Sequence, residues 1–366
     1  MELSDKEWKP FFLSSIFPEP KRGKRIVNEN HIQGDTPLIS SAGDNNGVTA
    51  FIGNKEKVRI YNNCLSIANG GSSAGKCFYE PFEFVASDHI THCKNEKLTE
   101  NQYLAVASLI TAKLTEKYSF CREITDLRIS REKIMLPVND TGEPNFEYLE
   151  QYIKNLKFSL IEKYLVYAKQ EIKDISYVEV PKLNEKEWKD FSFIKIFKIK
   201  GGFYNKKPPK EKNGTIPFIG ATECNNGITE FYSLDNIESH SKTGDLPNED
   251  LDRKIFAGNC ICVTNNGSVG YAYYQAHRFT CSHDINPLYA NGYTMNKWIA
   301  QFLVGAIEKQ KVCFTYVRKW RPKRMVKSRI LLPVNSLGEP DYEYMEQYIK
   351  NLMIKKYSDY IAYAEK

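Results

Sequence analysis

The 366-residue chain is long enough for two globular domains, and its ordinary apolar content allows each domain a core of its own. Its formal net charge of +6 permits nucleic acid as a partner without requiring it. The nine cysteines form no Cys-x-x-Cys pair, which argues against a disulfide framework, and no apolar run approaches membrane length. The first residues also lack the basic and apolar segments of a signal peptide. We therefore expect a soluble, cytoplasmic protein without a membrane partner.

The chain contains an internal repeat. Trp8 and the residues around it return at Trp188, an offset of 180 positions (188 − 8), and the Asn-Asn-Gly sequence at residues 45–47 returns at residues 225–227 with the same offset. Further along, residue 134 corresponds to residue 330, an offset of 196 (330 − 134). The second half must therefore contain an insertion, and we predict it in the polar, turn-rich segment 233–252 because loops tolerate changes of length.

In chain order, each half first predicts a mixed sheet rich in hairpins. Residues 64–74 read CLSIANGGSSA and residues 260–270 read CICVTNNGSVG, in each case an apolar strand that runs into an Asn/Gly/Ser turn. Aromatic runs at residues 77–79 and 271–274 predict the return strands. Apolar residues at helical spacing follow at residues 100–117 and 295–310. Each half is therefore predicted to be α+β.

The most similar part of the repeat predicts a strand, a turn and a long helix. Residues 134–156 read IMLPVNDTGEPNFEYLEQYIKNL, and residues 330–352 read ILLPVNSLGEPDYEYMEQYIKNL. Proline and glycine punctuate the turn, and Asn145 or Asp341 follows as a helix N-cap. Apolar residues at three- and four-residue steps predict one buried stripe per helix: Phe146, Leu149, Ile153, Leu156 and Leu160 in the first, and Tyr342, Met345, Ile349 and Leu352 in the second.

The two helices, predicted at residues 145–172 and from 341 to the end of the sequence, are longer than small domains need for their own packing. We predict that they pair as an antiparallel coiled coil about a pseudo-two-fold axis, since this would bury both stripes. The alternative is that each helix folds back on its own domain. The predicted fold is thus α+β, with tandem domains at residues 1–144 and 177–340 and spacer helices at residues 145–176 and 341–366.

Two motifs suggest catalysis or metal binding, but their contexts argue against it. Residues 70–77, GGSSAGKC, have the spacing of a phosphate-binding P-loop, yet Cys77 replaces the hydroxyl residue and an aromatic strand follows instead of a helix. His89, His92 and Cys93 could contribute to a metal site, but no second cluster completes four ligands. We interpret these histidines as loop or core residues.

Two further motifs also fail as active sites. The sequence Asn-Pro-Leu-Tyr at residues 286–289 is similar to the Asn-Pro-Pro-aromatic motif of amino-methyltransferases, but no Gly-rich cofactor loop precedes it, and we interpret it as a turn. Glu339 and Asp341 flank Pro340 at the start of a helix and lack the lysine that a metal-dependent nuclease would need. We therefore predict a protein that is not an enzyme and holds neither a metal nor a cofactor.

The predicted surface instead suits nucleic-acid binding. Basic residues that recur in both halves could contact phosphates, and loop amides and hydroxyls could read bases. The basic candidates are Lys21, Arg22, Lys24, Arg25, Arg122, Arg128, Lys206, Lys207, Arg318, Arg321 and Arg324. The loop candidates are Ser41, Asn45, Asn46, Asn69, Ser72, Asn225, Asn226, Asn265 and Ser268. The alternatives are a solvated charged face for the first set and ordinary turn chemistry for the second.

With this duplicated order of motifs, nearly the whole chain resembles the specificity subunit of type I restriction-modification systems and the related type IIB subunit. The resemblance implies that each half is a target recognition domain for one part of a split double-stranded DNA sequence, with the helices as the spacer between the parts. It also implies partners: two DNA methyltransferase subunits, which would bind S-adenosylmethionine, and in some systems a restriction subunit. No catalytic residue is transferred from the family. The subunit would direct adenine methylation, and cleavage where a nuclease partner is present.

Two other classes of function remain open from the sequence. A scaffold or decoy would bind methyltransferase subunits without binding DNA, and a stand-alone DNA-modifying enzyme would show activity without partners. DNA-binding assays with and without the partner separate the first from a specificity subunit, and methyl transfer or cleavage by the purified chain alone would indicate the second.

Overall fold

The computed structural model describes residues 2–245, 247–315 and 317–365 of the chain. The chain divides into two compact units, Met1–Tyr164 (unit 1) and Leu165–Lys366 (unit 2). Both units mix helices with strands, as the sequence predicts.

Residues 2–164, the described part of unit 1, contain ten strands and the start of a long helix. The strands are β1 (Trp8–Phe12), β2 (Lys21–Arg22), β3 (Gln33–Ile39), β4 (Val48–Ile52), β5 (Ile60–Tyr61), β6 (Cys64–Ala68), β7 (Cys77–Glu80), β8 (Phe84–Ala86), β9 (Ile90–Cys93) and β10 (Lys133–Pro137). The helices are α1 (Leu13–Ile16), α2 (Glu100–Leu114), α3 (Asp126–Ser130) and α4 (Phe146–Lys173). The last of these begins in unit 1 and ends in unit 2.

The strands of unit 1 form three sheets, in the orders β1-β10, β4-β3-β8-β5 and β2-β9-β6-β7. The pair β3 and β8 is parallel and the other pairs are antiparallel, so the predicted mixed sheet is confirmed. Leu65 and Ile67 on β6 pack with Val106 and Ile110 on α2 in one buried cluster. This core fixes α2 against the sheet whose strand ends carry the candidate loops.

Unit 2 repeats this plan. Its strands are β11 (Trp188–Ser192), β12 (Phe197–Ile199), β13 (Ile216–Ile219), β14 (Ile228–Tyr232), β15 (Cys260–Thr264), β16 (Ala272–Gln275), β17 (Thr280–Cys281), β18 (Ile285–Ala290) and β19 (Arg329–Pro333). Its helices are α5 (Phe193–Ile196), α6 (Leu234–Ser239), α7 (Leu251–Lys254), α8 (Lys297–Glu308), α9 (Pro322–Met325) and α10 (Tyr342–Ala364).

The sheets of unit 2 have the orders β11-β19, β14-β13-β17 and β12-β18-β15-β16. The first and third match the sheets of unit 1 strand for strand, and in the second an isolated antiparallel bridge between Phe256 and Phe279 stands where β5 pairs with β8 in unit 1. Again one pair, β13 and β17, is parallel. The repeat seen in the sequence is therefore a repeat of topology.

The predicted insertion, residues 233–252, contains α6 and the first residues of α7 rather than turns alone. Lys254, at the end of α7, is fully buried, and its ammonium donates hydrogen bonds to the carbonyl oxygens of Ile237 and Glu238 and to the side chain of Asn248. Because all of these partners lie within residues 233–252, this buried lysine at the end of α7 ties the insertion to the chain that follows it. Burial lowers the pKa of Lys254.

The strand, turn and helix of the repeat adopt the predicted structure in both units. Asn145 Oδ1 accepts a hydrogen bond from the Tyr148 amide at 2.9 Å, and Asp341 Oδ1 accepts one from the Tyr344 amide at 3.0 Å, so both N-caps are confirmed. The asparagine of each Leu-Pro-Val-Asn sequence closes the turn. Asn139 Oδ1 accepts from the Thr141 and Glu143 amides, and Asn335 Oδ1 accepts from the Leu337 and Glu339 amides.

The apolar stripes of the long helices are buried only near their starts. Leu149 and Met345 are buried, whereas Leu156 and Leu160 are 44% and 57% exposed and Leu352 is 39% exposed. The prediction that the stripe is buried throughout is thus wrong for this chain alone: its first residues pack on the core of their own unit, and its later residues are exposed. Within unit 2, the end of α4 contacts α10 through Lys169 and Glu365, whose Nζ and Oε1 atoms are 2.6 Å apart. Pairing along the rest of the helices stays a prediction.

Candidate nucleic-acid interface

Four loops of unit 1 carry the candidate residues, and hydrogen bonds join them into one surface. We name them loop A (residues 21–25), loop B (40–47), loop C (69–75) and loop D (118–131). Ser41 Oγ in loop B donates to the Gly70 oxygen in loop C at 3.0 Å. The Ile124 amide in loop D donates to the Asn69 oxygen in loop C at 2.7 Å, and Arg22 Nη2 in loop A donates to the Ile124 oxygen at 3.1 Å. Candidates far apart in the sequence are therefore brought together.

Most of the basic candidates of unit 1 are exposed on this surface. Lys21, Lys24, Arg25, Arg122 and Arg128 all present their side chains to solvent. Arg22 differs, because its guanidinium is half-buried and bonded to loop D. We therefore regard Arg22 as a residue that joins the loops, while the five exposed residues stay candidates for phosphate contact.

Unit 2 has corresponding loops A′ (residues 204–207), B′ (220–227), C′ (265–270) and D′ (317–328). Its basic candidates, Lys206, Lys207, Arg318, Arg321 and Arg324, are likewise exposed. Loop D′ is anchored by Trp320, which is fully buried, stacks on Phe314 at 4.5 Å and donates its indole N–H to Ser328 Oγ at 3.0 Å. In unit 1 the buried Ile124 takes the equivalent place in loop D.

One arginine in each of loops D and D′ makes the same intradomain contact. Arg128 Nη1 donates to the Glu123 oxygen at 2.5 Å, and Arg324 Nη1 donates to the Lys319 oxygen at 2.7 Å. Each bond spans five residues of one basic segment, and the remaining guanidinium N–H groups lie on an exposed side chain. Each of these two arginines is therefore suited to hold its own loop and to contact a phosphate as well.

The Asn-Asn-Gly turns have nearly identical backbones in the two units. Asn45 and Asn46 have φ values of +46° and +51°, and Asn225 and Asn226 have values of +53° and +52°. This left-handed region is uncommon for residues other than glycine, although asparagine tolerates it better than most. All four side chains are exposed. The turn chemistry that we weighed as the alternative is present. Asn226 Nδ2 donates to the Tyr274 oxygen, so the exposed side chains of Asn45 and Asn225 are the ones better placed to contact a ligand.

The candidates of loops C and C′ differ in exposure. Ser72 is exposed and Ser268 half-buried, whereas Asn69 and Asn265 are buried. Asn265 donates to the Asn286 side chain at 2.7 Å and to the His283 oxygen. In this structure neither buried asparagine presents its side chain at the surface, which favours a role in shaping the turn. Sequence patterns did not reveal this, because asparagines in Asn/Gly turns look alike in sequence whether they are buried or exposed.

The motifs that suggested catalysis are parts of the structural framework. The P-loop-like segment enters β7 and not a helix. His92 stacks on Tyr61 with ring centroids 3.7 Å apart, its Nδ1 lies 2.9 Å from the Lys21 oxygen, and burial lowers its pKa. Residues 286–289 lie within β18, in the interior of its sheet, so our interpretation as a turn is wrong. Pro287 has no N–H to donate there, and its oxygen accepts a hydrogen bond from the Lys200 amide.

Within residues 2–245, 247–315 and 317–365, no group of three or more His, Cys, Asp and Glu side chains could hold a metal ion. Across the same residues, no helix is both long and apolar enough to cross a membrane.

A polar residue beneath each Asn-Asn-Gly turn was not predicted from the sequence. These are Glu80, at the end of β7, and Gln275, at the end of β16, and both are buried. The only sequence signal is that each closes an aromatic return strand, which alone says nothing of what it faces. Strand pairing is what places them under the turns.

Comparison with known proteins identifies the family. The family described as "Type I restriction modification DNA specificity domain" matches residues 5–164 and again residues 185–359. The chain is similar to the specificity subunit of the type II restriction enzyme BcgI from Heyndrickxia coagulans, with 30% identity over 349 residues that cover 94% of each chain.

Among solved structures, the chain is similar to the S subunit of a type I restriction-modification system from M. genitalium. The identity is 15%, the TM-score is 0.48, and the match covers 100% of this chain and 94% of the other. It is also similar to the HsdS subunit from Thermoanaerobacter tengcongensis, at 12% identity and a TM-score of 0.29, covering 98% and 90%.

The assignment rests on the duplicated family match and on the BcgI relative, and it confirms the predicted class, a non-catalytic specificity subunit. The chain belongs to the family of type I restriction-modification DNA specificity proteins.

Proposed function

We propose that this chain reads a bipartite double-stranded DNA target, with unit 1 reading one part and unit 2 the other, and directs adenine methylation to it. The observation that carries the proposal is the duplicated topology with different loop surfaces. Corresponding sheets have the same strand order, while loop D is anchored by Ile124 and loop D′ by Trp320, and only unit 2 contains α6 and α7. Two domains with the same topology and different loops are suited to bind two different half-sites.

The electrostatics of the loops support DNA as the ligand. Exposed lysines and arginines recur in loops A, A′, D and D′, and such side chains position a protein on the phosphate backbone. Exposed asparagines in loops B and B′ can donate and accept hydrogen bonds at base edges in the major groove. Because the ligand is DNA, we expect the subunit to act in the cytoplasm.

The long helices are proposed to set the gap between the half-sites and to bind two methyltransferase subunits. α4 has 28 residues and thus extends about 42 Å at ~1.5 Å per residue. Its exposed Leu156, Phe158 and Leu160 are apolar side chains that a partner would cover. The methyltransferase partners would bind S-adenosylmethionine, and a restriction subunit would join where the system cleaves DNA.

An apolar groove in unit 2 supports the same docking role. It has a volume of about 1270 Å³, lies beside α10 and is lined by Trp188, Trp298, Phe302 and Leu331. Aromatic and aliphatic pockets of this kind are typical of the centres of protein interfaces. We assign it to a methyltransferase subunit because α10 is one of the two proposed docking helices.

Methylation mapping tests the proposed function. Methylated adenines are mapped genome-wide in cells with and without this gene. We expect one interrupted motif to be methylated only when the gene is present. A methylation pattern that does not depend on the gene would contradict the proposal.

Changing the helices tests the spacer. One heptad inserted into each of α4 and α10 should lengthen the gap of the methylated motif without altering its bases. An unchanged gap would remove the spacer role while leaving the reading role intact.

A further inference from the structure

A buried polar side chain lies under the Asn-Asn-Gly turn of each unit. Glu80 pairs with Cys64 across β7 and β6, and Gln275 pairs with Cys260 across β16 and β15. The two residues therefore hold the same position in the repeat. Glu80 is fully buried and Gln275 nearly so. One unit has a carboxyl group where the other has an amide.

In unit 2 the contact between this residue and the turn is made by direct hydrogen bonds. Gln275 Nε2 donates to the Asn226 oxygen at 2.9 Å, and Asn226 Nδ2 donates to the Tyr274 oxygen at 3.1 Å. Asn226 is one of the residues in the left-handed conformation. Since that conformation is unfavourable for a residue with a side chain, these bonds from β16 help to hold the turn.

In unit 1 the carboxyl group of Glu80 lies beside the same turn but is incompletely satisfied. Its Oε1 accepts a hydrogen bond from Ser66 Oγ at 2.8 Å, and the Asn46 side chain interacts with the carboxyl group and favours its ionised form. Its Oε2 is buried and has no hydrogen-bond partner among the described residues. A buried oxygen without a donor is costly, and more so when charged.

The surroundings of Glu80 favour the neutral acid. Burial raises the pKa of Glu80 to about 7, and the interactions with Ser66 and Asn46 only partly oppose this. The titratable groups that interact with it are the thiols of Cys64 on β6 and Cys77 on β7, and burial raises the pKa of both thiols. Within the described part of the chain, no lysine or arginine forms an ion pair with Glu80.

We propose that Glu80 and Gln275 are positioning residues for the two recognition turns, and that the carboxyl group makes reading of the first half-site depend on pH while the amide leaves the second independent of pH. The inference rests on the proposed function, because it requires loops B and B′ to lie at the DNA. Deprotonation places a charge under loop B, and Oε2, which has no donor, gains one only when water enters beneath the turn and loosens it. Base discrimination by unit 1 therefore weakens as the pH rises.

The experiment uses the complex of this chain with its methyltransferase subunits, after the target has been mapped. Competition binding compares the cognate duplex with duplexes that carry one base change in either half-site, from about pH 6 to about pH 8.5. For the wild type, discrimination in the half-site read by unit 1 should fall on the order of three- to ten-fold as the carboxyl group ionises. Discrimination in the other half-site should stay constant.

Two reciprocal variants provide matched tests. Glu80→Gln is nearly isosteric and copies the residue of unit 2, so it should hold first-half discrimination at its low-pH value throughout. Gln275→Glu should create pH dependence in the second half-site and leave the first unchanged. Thermal denaturation of each variant complex checks that the fold is intact.

A pH profile for Glu80→Gln identical to that of the wild type would overturn the inference, and so would equal changes in both half-sites. A complex that shows no sequence-specific binding at any pH would instead refute the proposed function, and the inference with it. Specific binding with flat profiles in the wild type refutes only the role of Glu80.

Discussion

Replacing the arginines that brace loops D and D′ should change the salt dependence of DNA binding. Arg128 and Arg324 each donate one N–H group to a carbonyl oxygen of their own segment. The remaining guanidinium N–H groups lie on an exposed side chain. If each contacts one phosphate, Arg128→Ala or Arg324→Ala lowers the slope of log K against log salt by ~0.9. Between about 50 and about 200 mM salt, that slope corresponds to a factor of about 3.5 in affinity. The double variant should lose about twice the slope, because the two sites lie in different domains.

The assay is equilibrium binding of the complex to its mapped target at several salt concentrations. Arg128→Lys keeps the charge but not the planar fork, so its slope should stay near that of the wild type even if affinity falls. Lys9→Ala, on β1 and outside the four loops, is the control for a general loss of positive charge. Slopes of the alanine variants equal to the wild-type slope would refute phosphate contact. A slope for Arg128→Lys as low as that for Arg128→Ala would indicate that the hydrogen bond from Arg128 to the Glu123 oxygen, and not the charge, determines the salt dependence.

Three further predictions concern stability. Trp320→Ala removes a fully buried side chain and should lower the free energy of unfolding of unit 2 by about 3–5 kcal/mol, whereas Trp320→Phe should cost less; calorimetry on both variants checks this. Asn145→Ala should cost about 1 kcal/mol in urea unfolding, and Asn145→Asp, which keeps a cap, should be nearly neutral. Asp341→Ala should cost more than Asn145→Ala, because it also removes the partner of the Lys186 ammonium, which lies 2.7 Å from Asp341 Oδ2. The folded-state pKa of Glu80, about 7, lies above its ordinary value of 4.5. As the pH rises from about 4.5 to about 7, the free energy of unfolding of the wild type should therefore fall by up to about 3 kcal/mol relative to that of Glu80→Gln. Equal differences in stability at both ends of this range would contradict the burial argument.

Local signals in the sequence were sufficient for the repeat and its best-matched elements. Asn145 and Asp341 cap helices because capping depends on residues within one turn, and the start of each apolar stripe packs on the adjacent domain. The mixed sheet was also predictable, because each apolar run was followed by turn residues and an aromatic return strand.

Features that depend on distant partners were not predictable. Residues 286–289 form part of β18 although Asn-Pro is typical of turns, since β12 and β15 pair with both edges of that strand. The exposure of the later part of each helical stripe was not predictable, because apolar spacing does not tell which molecule will cover it. Strand pairing also decides that Asn69 and Asn265 are buried and that Glu80 lies under a turn. The pairing of distant strands cannot be read from local sequence.

Exchange of one recognition domain tests the central claim most directly. Residues 1–144 are replaced by the first recognition domain of another family member, and methylated adenines are mapped by genome-wide sequencing. If each unit reads its own half-site, one half of the methylated motif changes to the donor's bases while the other half and the gap stay the same. A change in both halves, or methylation that keeps the original motif, would contradict the account.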